Sequence, residues 1–456
     1  MKTLMGVVLF GPMLFLIACS TNPHAIPPAS KAQTTAAHTT AAPRLSEAPT
    51  GFDNRSNAVV DDQTHQSDQA NFEQFEAVSD GLGPLFNAQS CRECHQSPVT
   101  GGVSQVTELR VGHKSPDGKF QNAEISINHG SEIIKGRSLV NQRAICPNAA
   151  FPSIEIQERV PDSETIRTFR TSLGILGDGF VEAVDDSTLI TLSNRQCKQD
   201  GKICGLIVRV PILESPGETR VGRFGWKSQH ASLLSFSGDA YLNEIGITNR
   251  LFPDEVTDLC NTVTEPNDRS GEDGLADIDR FARFIRATKA PARDALQAGS
   301  ATAKAGETQF AKIGCDICHV STLTTAASGT VINGGKYTIP DALGSKTFHP
   351  YSDFLLHDIG SGDGIVVAMQ EHYGKRMYQT QWKDLSLEAY QATANRIRTA
   401  PLWGVRVQPI LMHDGASLTF RDAILRHRGE ASNVTKHFEN LSEADQSAII
   451  DFLKSL

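Results

Sequence analysis

The chain has 456 residues, 39% of them apolar and 21% charged, the make-up of an ordinary soluble globular protein with room for two or three domains. Its formal charge of −9 argues against nucleic acid as a partner. A mildly acidic surface suits a small basic protein better, although charge alone names no partner.

At the N-terminus Lys2 and the apolar run Leu4–Ala18 have the basic start and short apolar stretch of a secretory signal, too short to span a bilayer comfortably. The run ends in Leu16-Ile17-Ala18-Cys19, which resembles the bacterial lipoprotein cleavage box. Residues 1–19 are therefore expected to be removed up to Cys19, which becomes the lipidated first residue; a plain signal with an incidental Cys is the alternative. Ser20 in the next position fits sorting to the outer membrane, and so an exported, lipid-anchored protein facing the periplasm or the cell surface. Residues 20–66, rich in Ala, Thr, Pro and Ser, read as a flexible tether.

A first domain is expected over 67–295. Phe72 and Phe75 lie on a short amphipathic stretch ahead of Cys91-Arg-Glu-Cys94-His95, the first of two Cys-x-x-Cys-His pentapeptides. Two cysteines at this spacing can form thioethers to the two vinyl carbons of one porphyrin, and the adjoining imidazole then lies under the iron. Zinc ribbons and thioredoxin-like pairs also use Cys-x-x-Cys, but neither requires the following His. A c-type haem is thus the expected group, with His95 as its axial ligand.

Between about 109 and 223 short β-branched runs such as Ile125-Ser-Ile127 and Leu206–Val210, broken by Gly, Pro and Asp-Gly turns, predict a β-rich insertion. Of nine cysteines, Cys146, Cys197, Cys204 and Cys260 remain after Cys19 and the two pentapeptides, an even number that suggests two disulfides in an oxidising compartment. Asp200-Gly201 reads as a two-residue hairpin turn that sets Cys197 opposite Cys204. Cys146 with Cys260 follows only by elimination, and either could be a buried free thiol. Leu275, Ile278, Ala282 and Ile285 share a face and predict a closing helix after Asp273.

The second domain, 296–456, repeats the plan. Gly306 and Phe310 stand four apart on a helix leading into Cys315-Asp-Ile-Cys318-His319, the second pentapeptide, with His319 as the expected axial ligand. Ser442 can cap a closing helix in which Ile449, Phe452, Leu453 and Leu456 share one face. The expected fold class is mainly α, two fused cytochrome c-like haem domains with a β-rich insertion in the first.

The segments Gly81–Cys91, Phe224-Gly-Trp226-Lys227, Asn243–Pro253, Leu356-His-Asp-Ile-Gly360 and Thr399–Gly404 together resemble the di-haem oxidoreductase, putative peroxidase family, which is related to bacterial di-haem cytochrome c peroxidases. The resemblance runs from about Phe72 to the C-terminus. It implies an oxidoreductase that passes electrons from the second haem to a peroxide at the first, supplied by a small redox protein such as a cytochrome or cupredoxin. In the peroxidase relatives a His-Asp-Gly tripeptide leads to a distal Met; here His413-Asp414-Gly415 leads to His427 in that position, so the second haem resembles a bis-histidine centre. Met412 is the rival ligand. Trp226 matches a Trp between the two haems, Glu244 falls near the carboxylate that handles the peroxide proton, and Phe236 stands where the relatives have a distal Gln. His113 is in place for a labile sixth ligand of the first haem, or is a surface histidine. In the relatives a calcium often bridges the two domains through backbone oxygens, and here Pro409 is out of the usual register; Asp358, Asp363 and the glycines around them are a second place for calcium, or simply a turn. His129, His230, His349, His357, His372 and His437 have no spacing that assigns them a role. Two other functions remain open, an electron carrier with both irons six-coordinate, and an oxygenase or protein-modifying enzyme.

Overall fold

The computed structural model describes residues 45–199, 202–261, 263–367, 370–373, 376–379 and 385–456. The leader with Lys2, Cys19 and Ser20, most of the tether, the Asp200-Gly201 turn and the side chain of His372 lie outside the described residues. Residues 45–61, within the stretch expected as tether, run against the body: Ser46 and Glu47 pair in parallel with Lys346 and Thr347.

Two helix pairs of the same design lie beside the two pentapeptides. In the first, Asp62–Glu73 starts at Asp61, whose carboxylate accepts from the Thr64 amide at 2.7 Å. It packs on Asp277–Ala287, with Phe72 edge-on to Phe281 (5.9 Å) and tilted against Phe284 (4.9 Å). Asp68 accepts from Nε and Nη2 of Arg283, each at 2.7 Å, across this contact. In the second pair, Ala301–Ile313 packs on Glu443–Leu453, capped as expected by Ser442, whose hydroxyl accepts from the Asp445 amide at 3.1 Å.

The second pair is close because Gly306 has no side chain: a Cβ there would overlap the Ala448 carbonyl. Backbone on one side cannot rotate away. Gly306→Ala should therefore lower stability by about 1–3 kcal/mol or more, read from urea unfolding. An unchanged midpoint would mean that the helices separate at little cost.

The expectation of a mainly α fold is overturned. The described residues are about 33% helix and 16% strand, and their strands form eight small sheets of two or three strands. Strands are not confined to the expected insertion, since Leu323–Thr324, Lys346–Phe348, Leu356–His357 and Ile397–Arg398 lie in the second half. Pairs two or three residues long have no alternation to read, so periodicity could find only the helices there. Within 109–223, Glu124–Ile127 is a strand as expected, but Leu206–Val210 contributes only to Arg209–Pro211, and Asp178–Glu182 and Asp186–Gln199 are helices. The hairpin argument for Cys197 fails on the same ground, because Cys197 sits near the end of helix Asp186–Gln199. Its sulfur is nonetheless at bonding distance from Cys204, with Cα atoms 4.5 Å apart, and Cys146 is likewise at bonding distance from Cys260.

The largest apolar cluster joins both halves: Phe72, Phe281 and Phe284 belong to it together with Leu323, Phe348, Phe354 and Trp403. A second cluster lies under the strands from Val111 to Ile156, and a third surrounds Phe310, Ile449 and Phe452. No helix among the described residues is long and apolar enough to cross a membrane.

Candidate functional site

Each pentapeptide lines its own cavity. Helix Ala301–Ile313 ends on Gly314, whose φ of +98° turns the chain into a single 3-10 turn, Cys315–Ile317. The His319 amide then donates to the Cys315 carbonyl at 3.0 Å, which sets Cys315, Cys318 and His319 along one wall. The first pentapeptide has the same local fold: Ser90 caps the turn Cys91–Glu93, and the His95 amide donates to the Cys91 carbonyl at 3.1 Å.

In the second cavity His319 faces His427. The His319 Nδ1 meets the Tyr351 carbonyl at 3.0 Å and the His427 Nδ1 meets the Ala423 carbonyl at 2.8 Å, so each ring is held through Nδ1 and Nε2 is left for another partner. The ring centroids are 6.5 Å apart. Two imidazoles bound to opposite sides of one metal ion, each with a bond of about 2 Å, hold their centroids about 6 Å apart, so the spacing fits a shared iron. Met412 lines the same cavity. Burial pushes His319 down to about 4 and also lowers His95 and His427, leaving neutral rings with a lone pair to offer.

The thiols behave differently from those of zinc or disulfide-exchange sites. Burial pushes Cys91 and Cys315 up to about 12 and raises Cys94 and Cys318 as well. Reactive redox thiols are shifted downward, and a zinc ribbon would bring the two pairs to one point. A largely apolar slot beside two protonated thiols and one neutral imidazole suits a porphyrin.

The first cavity carries a polar cluster in its lining, Glu108, Arg110 and Glu244. His95 is held by the Gly102 carbonyl at 3.4 Å with Phe72 beside it, ring centroids 6.3 Å apart. Glu244 comes from the turn Tyr241–Ile245 that ends helix Leu233–Ala240. Its Oε2 accepts from Asn87 Nδ2 at 3.2 Å and its Oε1 lies 3.8 Å from Arg110 Nη2, which is also 2.8 Å from Glu108 Oε2. Burial and then the neighbouring Glu108 push Glu244 well above the usual carboxylate range. Burial would raise Glu108 too, but Arg110 and the hydrogen bond with Glu244 bring it below its ordinary value. Of the pair, Glu244 is therefore the one that binds a proton more readily.

Sequence reasoning found Glu244 but missed Glu108 and Arg110. They lie two apart on strand Thr107–Lys114 and so share a face; that alternation was the available signal. Phe236 lines this cavity as expected, stacked on Phe224 at 6.2 Å, but a carboxamide is present after all, because Gln229 also lines it. His113 is on the same strand, paired with Glu164 at 3.0 Å, and does not line the cavity. His357 is buried between Asp353 (3.0 Å) and Glu430 (2.8 Å), with Cys318 Sγ 3.8 Å away. Burial would lower it, yet the attraction of Asp353 lifts it well above its ordinary value.

Trp226 belongs to both cavities, as do Thr171, Ser172, Leu173 and Arg398. Its indole Nε1 donates to the Thr171 carbonyl at 2.7 Å and its ring lies edge-on to His413 at 6.1 Å. The expected calcium ligands do not fit that ion. Asp363 is buried and spent on two cations, with Arg170 Nε at 2.7 Å and Lys227 Nζ at 2.8 Å, while the Asp358 side chain accepts from Gly360.

No curated protein matches the chain. A solved structure of Kuenenia stuttgartiensis hydrazine synthase, pressurised with xenon, aligns with 96% of this chain and 100% of its own at 14% identity and a TM-score of 0.38. The profile of the family described as "Di-haem oxidoreductase, putative peroxidase" matches residues 146–456. That span holds the second pentapeptide, His427, Trp226, Phe236 and Glu244, and as it covers more than half of the chain, this protein belongs to the di-haem oxidoreductase, putative peroxidase family.

Proposed function

We propose that the protein is an exported di-haem c-type cytochrome that reduces a peroxide at its first haem with electrons received through its second. The observation that carries this reading is the asymmetry of the two cavities. The second has imidazoles on opposite sides, His319 and His427, whereas the first is lined by His95 and, among the described residues, by no second imidazole and no thioether. Its lining offers Glu244, Glu108 and Arg110 instead.

Haem, attached through Cys91 and Cys94 and through Cys315 and Cys318, would supply the one-electron redox centres at both places. The chain's residues supply the rest. His319 and His427 close the second centre, so it exchanges electrons and binds no substrate. Trp226 spans the wall between the cavities, giving an aromatic path across it. Glu244 holds a proton beside the first centre, where the departing oxygen of a peroxide needs one. Arg110 keeps Glu108 ionised, and the ionised Glu108 keeps the proton on Glu244.

The leader Lys2–Cys19 supports delivery across the inner membrane and anchoring at Cys19 in the outer membrane. An oxidising compartment agrees with disulfides Cys146–Cys260 and Cys197–Cys204. A small cytochrome or cupredoxin is the donor class.

The ferric spectrum and a peroxide challenge test the reading. One high-spin and one low-spin haem are expected, and hydrogen peroxide should rapidly reoxidise the reduced protein. A wholly low-spin spectrum that added cyanide leaves unchanged would overturn it in favour of an electron carrier. Separately, His427→Met should keep the second haem low-spin, raise its potential and introduce a sulfur-to-iron charge-transfer band. If that band is already present in the parent, Met412 is the ligand.

A further inference from the structure

Lys227 follows the Trp that separates the two cavities, yet its side chain is only 3% exposed. An ammonium taken out of water needs an oxygen for each of its three N–H groups. Here four oxygens converge on Nζ: Asp363 Oδ1 at 2.8 Å, the Thr393 and Arg396 carbonyls at 2.7 Å, and the Ala394 carbonyl at 3.3 Å. The last is the most distant because it already accepts from the Gly364 amide at 3.0 Å. Asp363 is anchored on its other side by Arg170, which lines the first cavity.

The cage is made mostly of main chain, from two segments pressed together. A Cβ on Gly362 would overlap Asn395, so the 362–364 loop and the 393–396 segment meet backbone to backbone. Such convergence of carbonyls and one carboxylate is the donor set of a hard cation. Its size is wrong for calcium, whose oxygen ligands lie at about 2.3–2.6 Å, and right for ammonium. Burial pushes Lys227 down to about 8, so the group is still charged at neutral pH.

We infer that Asp363, Thr393, Ala394 and Arg396 form a monovalent-cation site which this chain fills with its own Lys227 ammonium, so that a covalently held cation clamps the wall between the two cavities. The clamp acts next to Trp226, whose carbonyl accepts from the Arg398 amide at 2.9 Å while Arg398 Nε reaches the Gly225 carbonyl at 2.8 Å. Lys227 is thus a positioning residue. It ties the loop carrying Trp226 to the strand carrying Arg398, and both residues line both cavities.

The site can be emptied and refilled. In Lys227→Ala the cage loses its cation and gains space, and the Tm of the haem-loaded protein should fall by roughly 5–10 °C in tetramethylammonium chloride. Potassium or ammonium chloride at equal ionic strength should restore at least half of that loss, since those ions fit the oxygens and tetramethylammonium does not. Lys227→Met keeps the stem in the space without its charge, so it should lose stability similarly and respond to neither salt. Equal Tm values for Lys227→Ala in potassium and tetramethylammonium would overturn the proposal. Reductive methylation of the folded parent probes the same cage without any substitution. Peptide mapping should find Lys227 unmodified where exposed lysines such as Lys135 are dimethylated, and a dimethylated Lys227 in protein that keeps its Tm would equally overturn the caged assignment.

Discussion

Replacing Glu244 with Gln should lower hydrogen peroxide turnover by about two to four orders of magnitude, the range for a positioned acid-base group, with both haems retained. Glu244 is the member of the Glu108–Glu244 pair with the greater hold on a proton, because burial and the neighbouring carboxylate raise it while Arg110 lowers Glu108. A raised carboxyl is protonated below its shifted value and loses that proton as pH rises through it. Turnover should therefore fall along an alkaline limb set by Glu244. Glu108→Gln removes the like charge, lowers the Glu244 value and should move that limb to lower pH. Phe236→Gln adds a donor and should raise turnover. A robust parent activity that none of the three substitutions changes would place proton delivery elsewhere in the cavity.

Replacement of Cys315 and Cys318 by Ala should leave one covalent haem per chain instead of two, resistant to acid-acetone extraction, and replacement of Cys91 and Cys94 should remove the other. The two losses are independent because the pentapeptides line separate cavities. Each should also destabilise its own surroundings by several kcal/mol, since a large apolar group lost from a packed site leaves a cavity that collapses only in part. For the second pair the affected packing is the Phe310, Leu411, Phe438 and Phe452 cluster. Full haem content after either double replacement would refute the attachment sites.

The parts of this molecule that were legible in the sequence share one property, that their chemistry is local. Each Cys-x-x-Cys-His run is complete within five residues, and the bend that brings each His amide to its Cys carbonyl is set by that same stretch. Helices Ala301–Ile313 and Glu443–Leu453 announced themselves through Gly306, Phe310, Ser442 and an apolar face, because a helix repeats its pattern every few residues. A gapless run from His413 pointed to His427, and folding sets its ring 6.5 Å from that of His319.

What the sequence could not decide depends on residues distant along the chain. The strand content of the second half was missed because pairs such as Leu356–His357 with Ile397–Arg398 are too short to alternate, and their stability comes from partners some forty residues away. Cys197 and Cys204 meet around a helix end rather than across a hairpin. The charges of Glu108 and Glu244, 136 positions apart in numbering (244 − 108), are set only when folding buries both beside Arg110. Asp363 looked like a metal ligand because an isolated Asp beside glycines offers free oxygens; folding brings it Arg170 and Lys227. By itself the sequence determined where the two Cys-x-x-Cys-His runs stand, because spacing within five residues is a property of the chain. Tertiary structure decided which cavity receives a second imidazole, which carboxyl is raised and which oxygens surround the Lys227 ammonium, because burial and charge proximity exist only in the folded state.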